Sequence, residues 1–170
     1  MNLLFIIIIV LLGSFAWAGL SAAPWVPCKS NDLEQLIKLA NLKPTDVFVD
    51  LGAGNGKTVI AAAHAGAIAH GYEISLIPYL IARLKILFLP KNIRSRVFFH
   101  YKSLWKVDLS KFNCIYIFLM PKIFPRLIKK IKTECKIGTK IICYVWPLSD
   151  LSEKNVFQEK NRPKIYFYEI

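Results

Sequence analysis

No aspartate, glutamate, lysine, arginine or histidine occurs before Lys29, so all 23 basic and 11 acidic side chains of the 170 residues lie from there onward. Acidic residues are scarce throughout, and the formal net charge is +12. With 55% hydrophobic residues and a mean hydropathy of +0.40, the chain is too apolar for a disordered tail and too charged for a bundle of membrane spans. No repeat recurs at a fixed period, which excludes solenoid arrays and collagen. The four cysteines, Cys28, Cys114, Cys135 and Cys143, contain no C-x-x-C pair, and three sit in apolar runs. They read as small thiols in a reducing compartment rather than disulfides or metal ligands. His64, His70 and His100 have no ligand-type partner four residues away, so no metal site is expected. What remains is an apolar leader, residues 1–28, and one basic globular domain, residues 29–170, with room for a single core.

The leader reads LLFIIIIVLLGSFAWAGLSAA from Leu3 to Ala23. At ~1.5 Å per residue it is long enough for a hydrocarbon core ~30 Å thick. Trp17 and Trp25 lie toward one end, where amphipathic rings favour the membrane interface, and Pro24 and Pro27 stop the helix. A cleaved secretory signal is the competing reading, with Ala16-Trp17-Ala18 or Ser21-Ala22-Ala23 as cut sites, but Met1-Asn2 lacks the usual positive charge. An uncleaved single-pass transmembrane anchor is the expectation. Because positive charge stays on the cytoplasmic side, the basic domain is expected there.

Behind the leader, Asn31-Asp32-Leu33-Glu34 has a capping-box pattern and opens a helix with Leu33, Ile37, Leu39 and Ala40 on its apolar side. Lys43 to Asp46 is a turn. Val47-Phe48-Val49 is a short buried strand, Gly52 to Gly56 a glycine-rich turn, and Lys57 to Ala65 a helix stopped by Gly66. Ile68 to Glu73 is a second strand, and a helix capped by Ser75 runs to about Phe88, before Pro90. Val97-Phe98-Phe99 is a third strand, and Cys114 to Leu119 a fourth, apolar on both faces as a central parallel strand must be. Pro121 starts a helix to about Lys132. Ile141 to Val145 and Ile165 to Tyr168 close the sheet, with Ser149 to Pro163 as a long polar loop. The alternation predicts an α/β domain with a mostly parallel sheet and helices on both faces.

The most informative stretch is Val47-Phe48-Val49-Asp50-Leu51-Gly52-Ala53-Gly54-Asn55-Gly56-Lys57. Glycines in alternation let the backbone turn sharply and let a ligand approach without a Cβ in the way. In open α/β sheets the ligand lies beyond the carboxyl ends of the strands. The dinucleotide pattern G-x-G-x-x-G would need glycine where Lys57 stands, and a phosphate-binding G-x-x-x-x-G-K-[ST] would need it at Leu51. Both miss by one position. Glu73 ends the second strand 23 residues after Asp50, the place of an acid that accepts hydrogen bonds from a nucleoside's ribose diol.

With an acid and three glycines after strand one and a second acid ending strand two, the sequence resembles class I S-adenosylmethionine-dependent methyltransferases over most of residues 31–145. It resembles more closely a membrane-anchored protein-lysine methyltransferase subgroup that acts on the adenine nucleotide translocase and on the c-ring protein of ATP synthase. The features shared with that subgroup are the leader, Pro24-Trp25-Val26-Pro27, Gly71-Tyr72-Glu73, Leu104-Trp105, Asp108-Leu109-Ser110 and Tyr116 through Pro121. The resemblance implies a Rossmann-like fold, S-adenosylmethionine as cofactor, a protein lysine near the membrane as substrate, and no metal. It implies that Asp50, Gly52 and Gly54 hold the methionine end of the cofactor, that Glu73 takes the ribose, that Ser103 and Leu104 contact adenine, and that Ala53, Asn55, Gly56 and Ile74 also belong to the cofactor-binding set. Leu119 and Met120 would line the methyl-transfer mouth. Asn55 and Ser103 stand where these families usually carry aspartate, so two charges are missing.

A dry mouth lined by Tyr116, Phe118, Tyr144 and Trp146 would suit a lysine amine that must lose its proton before attack; the same aromatics also read as core, Phe118 more so, and Tyr144 and Trp146 equally as either. No acid–base pair is legible, and no catalytic residue is assigned. The motifs of amino-directed and cytosine-C5 nucleic-acid methyltransferases are absent, and an aromatic-basic RNA-binding pattern is lacking, so nucleic acid is not the expected partner. Two basic clusters, Arg83 to Arg96 and Lys122 to Lys132, read as solvated faces or as surfaces for anionic lipid. A small-molecule methyltransferase and a non-catalytic docking module remain the rival functions.

Overall fold

The structure, a computed structural model, describes residues 30–160 and 162–170, together with Phe5 and Gly13. The expected anchor at residues 1–28 and Cys28 therefore lie outside the described segment, as does the division into leader and domain. Among the described residues no helix is long and apolar enough to cross a membrane.

Seven strands form one sheet in the order β3-β2-β1-β4-β5-β7-β6. Four strand pairings are parallel, linking β1 (Val47–Asp50), β2 (Ile68–Glu73), β3 (Val97–Tyr101), β4 (Cys114–Ile117) and β5 (Lys140–Tyr144). β7 (Ile165–Glu169) runs antiparallel between β5 and β6 (Asn155–Phe157). The expected mixed α/β sheet is present. β6 lies inside the stretch read as loop, where three residues with one aromatic leave too short a pattern to recognise.

Helices cover both faces. α1 (Ser30–Ala40), α2 (Lys57–His64) and α3 (Leu76–Leu87) pack on one, where Leu36, Ala62 and Ala82 meet Phe48, Ala69 and Phe99. After the short α4 (Lys91–Arg94), α5 (Phe124–Glu134) packs on the other through Phe124, Leu127, Ile128 and Ile131, an i, i+3, i+4, i+7 stripe closing on Val49, Ile115 and Ile117. The small side chains of α2, an Ala61-Ala62-Ala63 run, let that helix lie close to β1 and β2. That proximity brings its N-terminus to the glycine turn.

Three boundaries differ from expectation. α1 begins at Ser30, which places Asn31 within the helix rather than at its cap. β4 ends at Ile117, and Phe118 to Met120 turn away from the ladder. The helix expected from Pro121 opens as a 3-10 turn, Pro121–Ile123, before α5, because proline removes a donor only harmlessly in a first turn. Between β3 and β4 the chain makes two 3-10 turns, Leu104–Lys106 and Leu109–Lys111, capped by the side chains of Ser103 and Asp108.

Candidate functional site

β1 has β2 on one side and β4 on the other, and the strand order reverses there. A crevice opens at such a switch point beyond the strand ends. The register puts Asp50 beside Gly71 of β2 and Tyr116 of β4, so the glycine turn that follows Asp50 lies over this crevice.

The turn is built by backbone. The Leu51 amide donates to the Tyr116 carbonyl at 3.2 Å, the Ala53 amide to the Tyr72 carbonyl at 3.0 Å, and the Gly56 amide to the Ala53 carbonyl at 2.8 Å. Gly54 and Gly56 have φ of 51° and 79°, the left-handed region open to glycine. At Gly56 a Cβ would lie 2.2 Å from Cζ of Phe99, and at Gly71 it would lie 2.7 Å from both the Ala53 Cβ and Phe99 Cδ1. Phe99 of β3 thus fills the space two glycines leave, and the turn settles onto the sheet.

Glu73 closes the clasp. One carboxylate oxygen accepts the Gly54 amide at 2.8 Å, and the other accepts the amides of Ile74 and Ser75 at 2.8 and 2.6 Å. A side chain at the end of β2 therefore holds the middle of the turn after β1. Ile74 contributes its backbone here, and Ser75 precedes α3 without a side-chain cap bond. Asp50 lies beneath, 2% exposed. Burial pushes its carboxyl up to about 7, against a hydrogen bond from Thr58 that lowers it and with the charge of Glu73 adding to the rise. Lys85 of α3 donates to the Asn55 carbonyl at 2.9 Å, tying the outer edge of the turn to that helix. Burial, and then the nearby Lys57, lower the Lys85 pKa.

The remaining expected site residues divide. Ser103 and Leu104 follow β3, and the Lys102 amide bonds to the Glu73 carbonyl at 3.0 Å, so this segment borders the clasp. The Ser103 hydroxyl accepts the Trp105 amide at 3.4 Å, and the Leu104 side chain is buried in the core on the α5 face. Leu119 is buried, and its Cδ2 would stand 3.0 Å from a Cβ placed at Gly52. It reaches the turn from the β4 side, with Met120 half-buried next to it. Phe118 meets Tyr144 edge-on at 4.9 Å and lies over Trp146 at 6.1 Å, which gathers these aromatics at the ends of β4 and β5. Tyr144, read equally as mouth or core, is 4% exposed, and its hydroxyl bonds to the Asp32 carboxylate at 2.5 Å. It ties α1 to β5 instead of presenting a free polar edge. Val145, next to it, has a φ of 78°, unusual for a β-branched residue.

Thr58, Lys85, Asp32 and Phe99 were not among the expected site residues. Thr58, two residues past the glycine turn, carried a local signal; Asp32, Lys85 and Phe99 were read as capping-box, basic-cluster and strand residues and act across the fold. Among the described residues no group of three or more His, Cys, Asp or Glu side chains comes together.

The clasp falls at the start of a wider match, since residues 50–155 fit the ANTKMT methyltransferase domain. The chain belongs to this ANTKMT methyltransferase domain family. Relatives include the ATP synthase c-subunit lysine N-methyltransferase of Xenopus laevis, 30% identical over 136 residues that cover 80% of this chain and 59% of that protein. The adenine nucleotide translocase lysine N-methyltransferase of Mus musculus is 30% identical over 126 residues, 74% of this chain and 54% of that protein. The chain thus spans little more than half the length of these curated relatives. A crystallised RNA methyltransferase from Salinibacter ruber, in complex with S-adenosyl-L-homocysteine, superposes with a TM-score of 0.79 at 24% identity, covering 85% of this chain and 94% of that one. That likeness shows a fold shared over most of this chain.

Proposed function

We propose that this chain is a membrane-tethered S-adenosylmethionine-dependent methyltransferase acting on a protein lysine close to the membrane. The observation that carries the reading is the clasp of Glu73 on Gly54 at the switch point of the sheet. It fits an adenosyl nucleoside. Gly54 leaves the middle of the turn without a side chain, and the Glu73 carboxylate, having accepted three backbone amides, keeps one acceptor site for a ligand hydroxyl on the oxygen that takes the Gly54 amide. Asp50 lies under the turn where a ligand ammonium would offset the cost of its buried charge.

When bound, S-adenosylmethionine supplies a methyl group already activated on a sulfonium. The chain's own residues position and dry the site. Leu119 borders the glycine turn, and Phe118 stacked on Trp146 gives apolar surface for the mouth. Such surroundings disfavour the ammonium of a lysine, whose ordinary pKa is ~10.4, and raise the fraction of free amine. Holding an amine in line with the methyl can lower the barrier by roughly 7–11 kcal/mol through positioning alone. No side chain is assigned as a base.

Support for a lysine acceptor comes from the family and from the two vertebrate relatives, both lysine N-methyltransferases. Support for a tether comes from the uncharged stretch Leu3 to Ala23, and the basic domain behind it favours the cytoplasmic side. The test is transfer of tritium from labelled S-adenosylmethionine into membrane proteins by the full chain, followed by hydrolysis to amino acids. Label in methyl-lysine, lost in Glu73→Ala, is the expected result. Label confined to lipid or small solutes, or none at all, would overturn the lysine assignment.

A further inference from the structure

The two basic clusters differ in a way that charge alone does not reveal. On α5 the apolar stripe is turned inward, with Leu127 and Ile131 at 0% exposure, while Lys129 and Lys132 are exposed and Lys130 is paired with Glu134. On α3 the arrangement is reversed. Its inward side is Pro78 and Ala82, and the side facing away from the sheet carries Leu80, Leu84 and Leu87, at i, i+4 and i+7, followed by Phe88. These are 47%, 59%, 63% and 86% exposed. Such a stripe is the apolar face of an amphipathic helix, and among the described residues no element covers it.

The rim of this stripe is of one sign. Between Glu73 and Asp108 the sequence has no acidic residue, and every charged side chain there is lysine or arginine. Arg83 is exposed on α3 itself, and Lys91 and Arg94 are exposed on α4, just past Phe88. A convex leucine face edged by cations is complementary to the boundary between acyl chains and anionic headgroups, into which such helices sink ~5–10 Å. Arg and Lys stems can lie along the apolar layer while their heads reach phosphate.

We propose that α3 is a second membrane contact, an interfacial helix that lays Leu80, Leu84, Leu87 and Phe88 into the surface of an anionic bilayer. It adds to the tether reading without depending on it, because the surface belongs to the folded domain. It also has a consequence for the site. α3 follows directly from the Glu73 clasp and holds the glycine turn through Lys85 and Asn55, so seating α3 on the bilayer fixes how the crevice faces the membrane.

The test uses the full chain with an environment-sensitive fluorophore on Leu84→Cys, in a background of Cys28→Ser and Cys135→Ser. The thiols of Cys114 and Cys143 are buried. A matching chain carries the label on Lys132→Cys of α5, exposed on the opposite face. Vesicles of phosphatidylcholine and phosphatidylglycerol contain a doxyl quencher in the acyl chains. The Leu84 label should be quenched several-fold more than the Lys132 label. Its quenching should fall about tenfold in pure phosphatidylcholine, and as much when Arg83, Lys91 and Arg94 are changed to glutamate. Co-flotation of the chain reads the leader separately. Flotation with an unquenched Leu84 label would overturn the α3 contact while leaving the tether. Protection of the label in vesicle-free solution that disappears on dilution would overturn it in favour of a second copy of the chain.

Discussion

Asp50 and His70 pull the stability of this domain in opposite directions with pH. Burial raises the Asp50 carboxyl from 3.8 to about 7. The folded chain therefore holds a proton that the unfolded chain has released, and folding stability falls as pH rises from about 4 to about 7. Burial, then the neighbouring His100, lowers the His70 imidazole from 6.5 to about 4. Here the unfolded chain binds the extra proton, so stability is lost as pH falls from about 6.5 to about 4. Asp50→Asn should remove the first slope and leave a chain whose stability rises through that range, with a gain at neutral pH on the order of a few kcal/mol as an upper limit. His70→Phe should leave the opposite trend. Urea denaturation across pH reads both, and identical profiles for the two variants would contradict this assignment. At this scale Asp50 and Glu73 were legible as acids that end strands before turns. The buried hydrogen bond from Thr58 and the pairing of His70 with His100 across β2 and β3, at 3.1 Å, were not, since register cannot be read from either strand alone.

The glycine turn depends on neighbours far away in sequence. Gly56 has a φ of 79°, and a methyl there would meet the Phe99 ring at 2.2 Å. Gly56→Ala should therefore cost about 2–4 kcal/mol, from the left-handed backbone and the overpacked core together. Adding Phe99→Leu should restore part of it, as a double-mutant cycle by thermal or urea denaturation would show. A purely backbone effect would leave the two changes additive. The Tyr144–Asp32 bond is the corresponding test for α1: Tyr144→Phe leaves a buried carboxylate short of a donor and should lower stability by about 1–3 kcal/mol. The alternation of strands and helices was legible because each element carries its own period, and the glycine turn because it interrupts one. The α1 start at Ser30, the β6 strand and the 3-10 turns after β3 were not, since tertiary contacts and two or three residues of pattern decide them.

For the molecule as a whole, sequence patterning and structure meet at one place: the crevice at the β1/β4 switch point. Residues ending two parallel strands close a glycine turn over it, and the ANTKMT domain match begins there, at Asp50. The direction of the α3 leucines was illegible beforehand, because an apolar stripe in a sequence looks the same whether it faces a core or a bilayer. The most direct measurement of the central claim is calorimetric titration of the full chain with S-adenosyl-L-homocysteine, beside Glu73→Gln. Saturable binding by the unaltered chain, weakened roughly 10-fold or more in the variant, is the predicted outcome, since bonds to a charged acceptor contribute about 1.5–3 kcal/mol each. Absence of heat in both, or equal affinity in both, would contradict it.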